Sequence, residues 1–180
     1  MLAVGAVVVL GLAVAVFVVS SGGQAGTQKW SFETGNVTFS SPTVVDGTVY
    51  VGSMDRVSAR SDQRDDGYLY AVDAETGRKK WSFSTDAQVL SSPATVDGTV
   101  YISSRLGNVY ALDAETGRRE WNFSDGVGMT SSPTVVDGAV YVVSGDGRQV
   151  YAIDTETGQK EWNFSTGTVG LGVLSSPTVV

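Results

Sequence analysis

The sequence predicts an all-β protein built from repeated four-stranded antiparallel sheets, and three observations predict it. A tryptophan recurs at Trp30, Trp81, Trp121 and Trp162, spaced 51, 40 and 41 residues apart. A Ser-Ser-Pro follows each of them, with Pro42, Pro93, Pro133 and Pro177 lying 12, 12, 12 and 15 residues beyond the Trp. Between these marks each period holds four short runs rich in β-branched and aromatic residues. Four such strands in about 40 residues match one blade of a β-propeller.

The period reads most cleanly from Ser132 to Phe164. Its first strand, Pro133-Thr134-Val135-Val136, is turned by Asp137-Gly138 into a second at 139–143. Asp-Gly between β-branched runs marks a type I′ hairpin turn, in which both central residues take positive φ. The same pair stands at Asp46-Gly47 and Asp97-Gly98. A third strand at 150–153 leads into Asp154-Thr155-Glu156-Thr157-Gly158, and a fourth follows at 161–164. Asp73, Asp113 and Asp154 open this second turn, where a carboxylate accepts backbone N–H groups two or three residues on. Gly77, Gly117 and Gly158 close it and supply its left-handed residue. Glu75, Glu115 and Glu156 accompany these aspartates in every period, which marks the acid pairs as turn chemistry rather than a catalytic dyad, since a catalytic site has no need to repeat. In the fourth strand, alternation puts Trp121 and Phe123 on one face, towards a neighbouring blade, and Asn122 on the other.

Complete blades are expected at about 41–83, 92–123 and 132–164, flanked by a lone fourth strand at 29–32 and a lone first strand at 177–180. The expected architecture over residues 26–180 is an incomplete β-propeller, three full blades plus partial blades at each end. Closed propellers have about 4–8 blades, so the remaining blades are expected from a longer chain or from self-association.

Residues 1–25 read differently. Met1 to Val19 is an unbroken apolar run, and as a helix it would reach about 28 Å, close to the hydrocarbon thickness of a bilayer. The expectation is an N-terminal hydrophobic helix, either a transmembrane anchor or a signal peptide, with the small residues of 20–25 suited to cleavage after Ala25. An extracytoplasmic location, membrane-anchored or secreted, follows from either.

Composition narrows the chemistry. The 180 residues include no Cys and no His, which removes thiolate nucleophiles, disulfides, imidazole bases and the usual zinc and haem ligands. Net charge is −7, with 13 Asp against 6 Glu and 8 Arg against 4 Lys, a field that repels a nucleic-acid backbone. Such an acidic, Lys-poor surface resembles that of proteins from salt-loving archaea, where ions screen the self-repulsion.

The segment Ala71-Val72-Asp73-Ala74-Glu75-Thr76-Gly77-Arg78-Lys79-Lys80-Trp81 resembles the tryptophan-docking repeat of pyrroloquinoline-quinone (PQQ)-like propellers. Residues 111–121 and 152–162 fit it again, and only Gln159 departs from the basic residue kept by Arg78 and Arg118. The resemblance implies that each Trp ties its blade to the next within a ring of seven or eight. It also implies two kinds of function. Quinoprotein dehydrogenases of this type hold PQQ with Ca²⁺ and use an Asp base, whereas relatives such as the propeller lipoprotein of the outer-membrane assembly machinery are non-catalytic and bind proteins. No catalytic, cofactor or metal residue of the dehydrogenases aligns here, so no cofactor is expected. A non-catalytic, extracytoplasmic interaction or scaffold module with a protein partner is the implied function. The alternatives are a fragment of a PQQ-dependent dehydrogenase, the one reading that brings PQQ and Ca²⁺, and the sensor ectodomain of a membrane signalling protein.

Candidate binding residues come from the irregularities. Strands in a blade run up and down, so the loops after the second and fourth strands share a face. Every length change falls there: 11 extra residues between Ser53 and Tyr68, and three between Phe164 and Ser175. Variable loops on a rigid scaffold are where binding resides. Arg56, Arg60, Asp62, Arg64, Asp65 and Asp66 are therefore the candidate interaction residues. With Asp55 they carry a net charge of −1, neither a basic patch nor an EF-hand loop.

Overall fold

Three Asp-Gly pairs set the inner hairpins. Asp46, Asp97 and Asp137 have φ of 46°, 49° and 49°, and the glycines that follow have 69°, 79° and 80°, the left-handed pair that a type I′ turn requires. In a computed structural model of the chain, residues 4–10, 13–18, 27–34, 38–54, 66–129, 131–167 and 176–178 are described, and every regular element among them is a strand.

The strands group into three four-stranded sheets, each a meander in chain order. The first comprises β4 (Thr43–Val45), β5 (Thr48–Met54), β6 (Gly67–Asp73) and β7 (Lys79–Thr85). The second is β8 (Ala94–Val96), β9 (Thr99–Ser103), β10 (Asn108–Asp113) and β11 (Arg119–Ser124), and the third β12 (Thr134–Val136), β13 (Ala139–Val143), β14 (Gln149–Asp154) and β15 (Lys160–Ser165). All neighbours are antiparallel. Each sheet places an alanine opposite its Trp, Ala71 to Trp81, Ala111 to Trp121 and Ala152 to Trp162, with a register shift at the next residue. The three expected blades are these sheets.

The N-terminal run departs from expectation. In place of a hydrophobic helix, residues Val4–Leu10 form β1 and Ala13–Val18 form β2, paired antiparallel with each other and with β3 (Thr27–Glu33). Among the described residues no helix is long and apolar enough to cross a membrane. The physical reason lies in composition and in edges. Seven valines between positions 4 and 18 favour extended backbone, and β3 alone would leave a row of unpaired backbone groups. Val16 pairs with Trp30 and the register shifts at the next residue, as it does beside Ala71 and Trp81. Trp30 thus belongs to a three-stranded blade rather than to a lone fourth strand.

The core lies between blades. Tyr50, Leu69 and Ala71 of one sheet meet Val100, Ile102, Tyr110 and Leu112 of the next, all buried. Tyr101, Val109 and Ala111 meet Val140, Val142, Tyr151 and Ile153 in the same way. Alternation therefore gives each blade two apolar faces, one for each neighbour. Aromatic pairs repeat the pattern. Phe32, Phe83 and Phe123 contact Tyr70, Tyr110 and Tyr151 of the following blade with ring centroids 5.4–5.5 Å apart.

The Ser-Ser-Pro triplets divide the work between their two serines. The first binds its own blade: Ser91 Oγ accepts from Ser103 N at 2.9 Å and donates to Ser103 O at 3.1 Å, and Ser131 does the same with Val143 at 2.9 and 3.3 Å. The second binds the preceding blade. Ser92, Ser132 and Ser176 Oγ accept from the backbone N of Ser41, Ser92 and Ser132 at 3.0, 2.8 and 3.2 Å. A chain of hydrogen bonds thereby links the inner strands around the axis.

Candidate functional site

The outer turns are built as docking corners. Asp73 Oδ1 accepts from Glu75 N at 3.2 Å and from Thr76 N and Oγ1, both at 2.7 Å. Asp113 and Asp154 hold Thr116 N and Thr157 N at 2.7 Å and accept their hydroxyls as well. The threonine hydroxyl first, and then its amide, hold all three carboxyls below the usual Asp range. Each corner also donates to its own hairpin: Ala74 N, Ala114 N and Thr155 N reach Gly47 O, Gly98 O and Gly138 O at 2.8–2.9 Å. Both turn types therefore lie on one face.

Gly77, Gly117 and Gly158 close the corners at φ of 72°, 71° and 68°. Each also has no room for a side chain, because a Cβ would lie 2.6 Å from the ring of Trp30, Trp81 or Trp121 of the preceding blade. The same rings donate Nε1 to Ala74 O, Ala114 O and Thr155 O at 3.1, 3.0 and 2.8 Å. Glycine, carbonyl and indole thus form one contact that joins successive blades. Trp162 is the fourth ring of this series and stays exposed.

The opposite face carries the loops. Within it, Asp86 follows β7 and accepts from three groups of the next blade, Tyr110 OH and Asn108 Nδ2 at 2.6 Å and Ser104 Oγ at 3.1 Å. Burial, and then this bond to Asp86, push the Tyr110 phenol well above its ordinary pKa. Tyr151 is raised for the same two reasons, with Asp125 in the role of Asp86. Arg105 gives its guanidinium to Gln88 Oε1 at 3.2 Å and its backbone N–H to Gln88 O at 3.0 Å. Asp146 accepts from Ser144 Oγ at 2.6 Å, which lowers its pKa, and faces the half-exposed Arg148 Nε at 3.7 Å. These bonds make the floor of the loop face rigid.

The long insertion leaves this floor at Met54 and returns at Gly67, which pair directly. Gly67 has no space for a Cβ, with Val89 N only 2.8 Å from where it would be, so the stem is packed against the linker between blades. Asp66 lies just before β6 and is partly exposed. Arg56, Arg60, Asp62, Arg64 and Asp65 lie outside the described residues, as does the second insertion, at 168–175. The structure therefore fixes the anchor points of the candidate loop and joins none of its residues into a cluster. Asp86, Gln88 and Arg105 were missed from the sequence, since each occurs once and no repeat marks it.

The turn face offers open grooves between blades. One of about 570 Å³ is lined by Asp46, Asp97, Asp113 and Lys80, whose ammonium donates to Thr48 Oγ1 at 2.7 Å. In the next groove Glu120 replaces Lys80 and accepts from Thr99 Oγ1 at 3.2 Å. Among the described residues no group of three or more acidic side chains is placed to hold a metal ion.

Meandering four-stranded sheets joined by tryptophans docked on the next corner define a PQQ-like β-propeller. Residues 65–180 match the family model described as outer membrane protein assembly factor BamB, and the chain belongs to that family. Its fold is similar to BamB from Moraxella catarrhalis, with a TM-score of 0.68 and 24% identity over 93% of this chain and 47% of that one. A europium-containing methanol dehydrogenase is similar at TM-score 0.60 and 26% identity, over 76% of this chain and 26% of that one. The quinohemoprotein alcohol dehydrogenase of Comamonas testosteroni is similar at TM-score 0.59 and 25% identity, over 71% and 21%. The chain thus spans about half the length of that BamB and about a quarter or less of the two dehydrogenases. No curated protein sequence matches it.

Proposed function

We propose that this chain is a non-catalytic, extracytoplasmic propeller module that presents its loop face to a protein partner. The observation that carries the reading is the division between the two faces. Turns on one face repeat hydrogen bond for hydrogen bond, whereas the only length changes, at 55–66 and 168–175, fall on the other. Membership of a family described by outer membrane protein assembly supports a protein as the partner, a membrane-protein assembly component in particular.

Removal of Arg56 to Asp66 tests the proposal. Met54 and Gly67 already pair, so the shortened loop joins residues that are neighbours, and closure entropy changes by no more than about 1 kcal/mol. The folded midpoint should persist. A photo-crosslinking amino acid at Arg60 should capture a protein in cell envelopes, whereas the same group at Glu115 on the turn face should capture none. Capture from Glu115 alone would move the working surface to the turn face.

A second reading, a segment of a PQQ-dependent dehydrogenase, draws on the 25–26% identity to the two dehydrogenases. Titration with PQQ and Ca²⁺, followed by quenching of tryptophan fluorescence, separates the two: saturable binding supports the enzyme, and its absence the interaction module.

A further inference from the structure

Each blade needs a neighbour on both faces, and the sheet β12–β15 has only one. Its rear residues Val140, Val142 and Ile153 are buried against the preceding blade. Its front carries Trp162 and Phe164, which are 45% and 62% exposed. Tyr50 and Tyr101 pack beside their own Trp under a following blade and are 3% and 4% exposed, whereas Tyr141, beside Trp162, is only partly buried. The exposed surface is thus a continuation of the interface already repeated between blades.

What covers it can be read from strand positions. Residues 176–178 occupy the first-strand place of a following blade. Ser132 N donates to Ser176 Oγ at 3.2 Å and Thr134 Oγ1 to Pro177 O at 2.6 Å, as Ser92 N does to Ser132 Oγ at 2.8 Å and Thr43 Oγ1 to Pro93 O at 2.5 Å. At the other end, β1–β3 hold the second, third and fourth places of a blade, and among the described residues β1 has no inner neighbour. One strand is spare at one end and one is wanted at the other.

The registers agree. In the first full blade Thr43, Tyr50, Ala71 and Trp81 stand side by side across the sheet. In the N-terminal blade the matching row is Val7, Val16 and Trp30, and the residue equivalent to Thr43 is Thr178.

We propose that two copies of this chain close one eight-bladed ring, the 176–178 strand of each copy completing the β1–β3 sheet of the other, with Thr178 opposite the second copy's Val7. Two such junctions related by a twofold axis leave no blade face uncovered. Eight blades fall within the range of closed propellers, about 4–8. The chain spans 47% of Moraxella catarrhalis BamB and 51% of the computationally designed Ika8 protein, so two copies have the length of one such chain. The inference rests on strand geometry and does not depend on the loop face binding a partner.

Sedimentation of the full 180-residue chain at micromolar concentration should give twice its 18.8 kDa mass. The chain has no cysteine, so Val7→Cys and Thr178→Cys chains can be mixed and oxidised. A covalent dimer should form in the mixture and in neither variant alone. Trp162→Asp should return the particle to one copy while its far-UV circular dichroism is kept; the cross-link needs no change in the interface and decides the matter should that variant unfold. A single-copy mass leaves the face to a different polypeptide and overturns the proposal. So does a mass above two copies, which means an open array, or a two-copy particle that fails to cross-link.

Discussion

Replacing Gly117 by alanine should destabilise the protein far more than replacing Gly98, although both residues have positive φ, 71° and 79°. A Cβ on either residue incurs the left-handed backbone cost, about 1–2 kcal/mol. At Gly98 nothing stands within 4 Å of the new atom, so the cost ends there. At Gly117 the Cβ would lie 2.6 Å from Cδ2 and Cε3 of Trp81, and the ring must move. Displacing it breaks the 3.0 Å bond from Trp81 Nε1 to Ala114 O, worth about 0.5–1.5 kcal/mol. It also disturbs a packed interface, at about 1–3 kcal/mol for an inserted methyl. The excess of Gly117→Ala over Gly98→Ala is therefore about 1.5–4 kcal/mol.

Urea unfolding followed by circular dichroism reads this directly. With a slope of about 1–3 kcal/mol/M, the Gly117→Ala midpoint should lie roughly 1 M below that of Gly98→Ala. Trp fluorescence of the folded variant should shift to the red as Trp81 leaves its slot. Equal midpoints, with an unshifted spectrum, would show that the ring does not depend on the missing Cβ and would refute the docking corner as the link between blades.

Other perturbations separate roles that look alike in sequence. Ser91→Ala strips the buried Ser103 N–H of its acceptor and should cost about 1–3 kcal/mol, whereas Ser92→Ala frees only the exposed Ser41 N–H and should cost under about 1 kcal/mol; denaturant midpoints and amide exchange at residue 103 check both. Asp73, Asp113 and Asp154 have depressed folded pKa values, so their contribution is present above the ordinary carboxylate pKa and lost as pH falls through the folded value. Thermal midpoints should drop on acidification, and Thr116→Val, which removes the largest cause of the Asp113 shift, should flatten that drop. Tyr110 and Tyr151 have raised folded pKa values, so their contribution is complete below the ordinary phenol pKa of about 10 and is lost as pH rises towards the folded value. Tyr110→Phe should therefore flatten the alkaline limb of a stability profile, and an unchanged limb would remove Asp86 from the account.

How much of this was legible depended on how tightly backbone geometry constrains residue type. Asp46-Gly47 and its two copies could be read because few residues tolerate two successive positive φ angles. Asp73, Thr76 and Gly77 were legible for the same reason, since a side-chain oxygen, a nearby amide and a left-handed residue leave little choice. The serines were counted but not understood, because two adjacent hydroxyls look the same until their separate acceptors are seen. The N-terminal valines were misread because length alone suggested a bilayer helix. One available signal pointed the other way: Gly26 stands four residues before Trp30, as Gly77 stands four before Trp81. The candidate loop at 55–66 has no repeat to compare with, and charge alone does not say where its side chains go.

The repeats also constrain where function can reside. Residues present in every blade are those that touch the next blade: the Trp ring, the corner glycine, the second serine and the Tyr beside the preceding Phe. Their recurrence is explained by packing, because the same interface has to be built each time. A binding surface for one partner has no such reason to recur. It should be sought where equivalent positions differ, as at Lys80 against Glu120, or where one blade has residues the others lack. The first kind of difference is absorbed within the fold, since Lys80 and Glu120 each bond the threonine at the start of their own second strand. The second kind is not, since Met54 and Gly67 pair as directly as Ser103 and Val109, with or without residues 55–66 between them. A segment the blade does not need in order to pair its strands is free to answer to something outside the propeller.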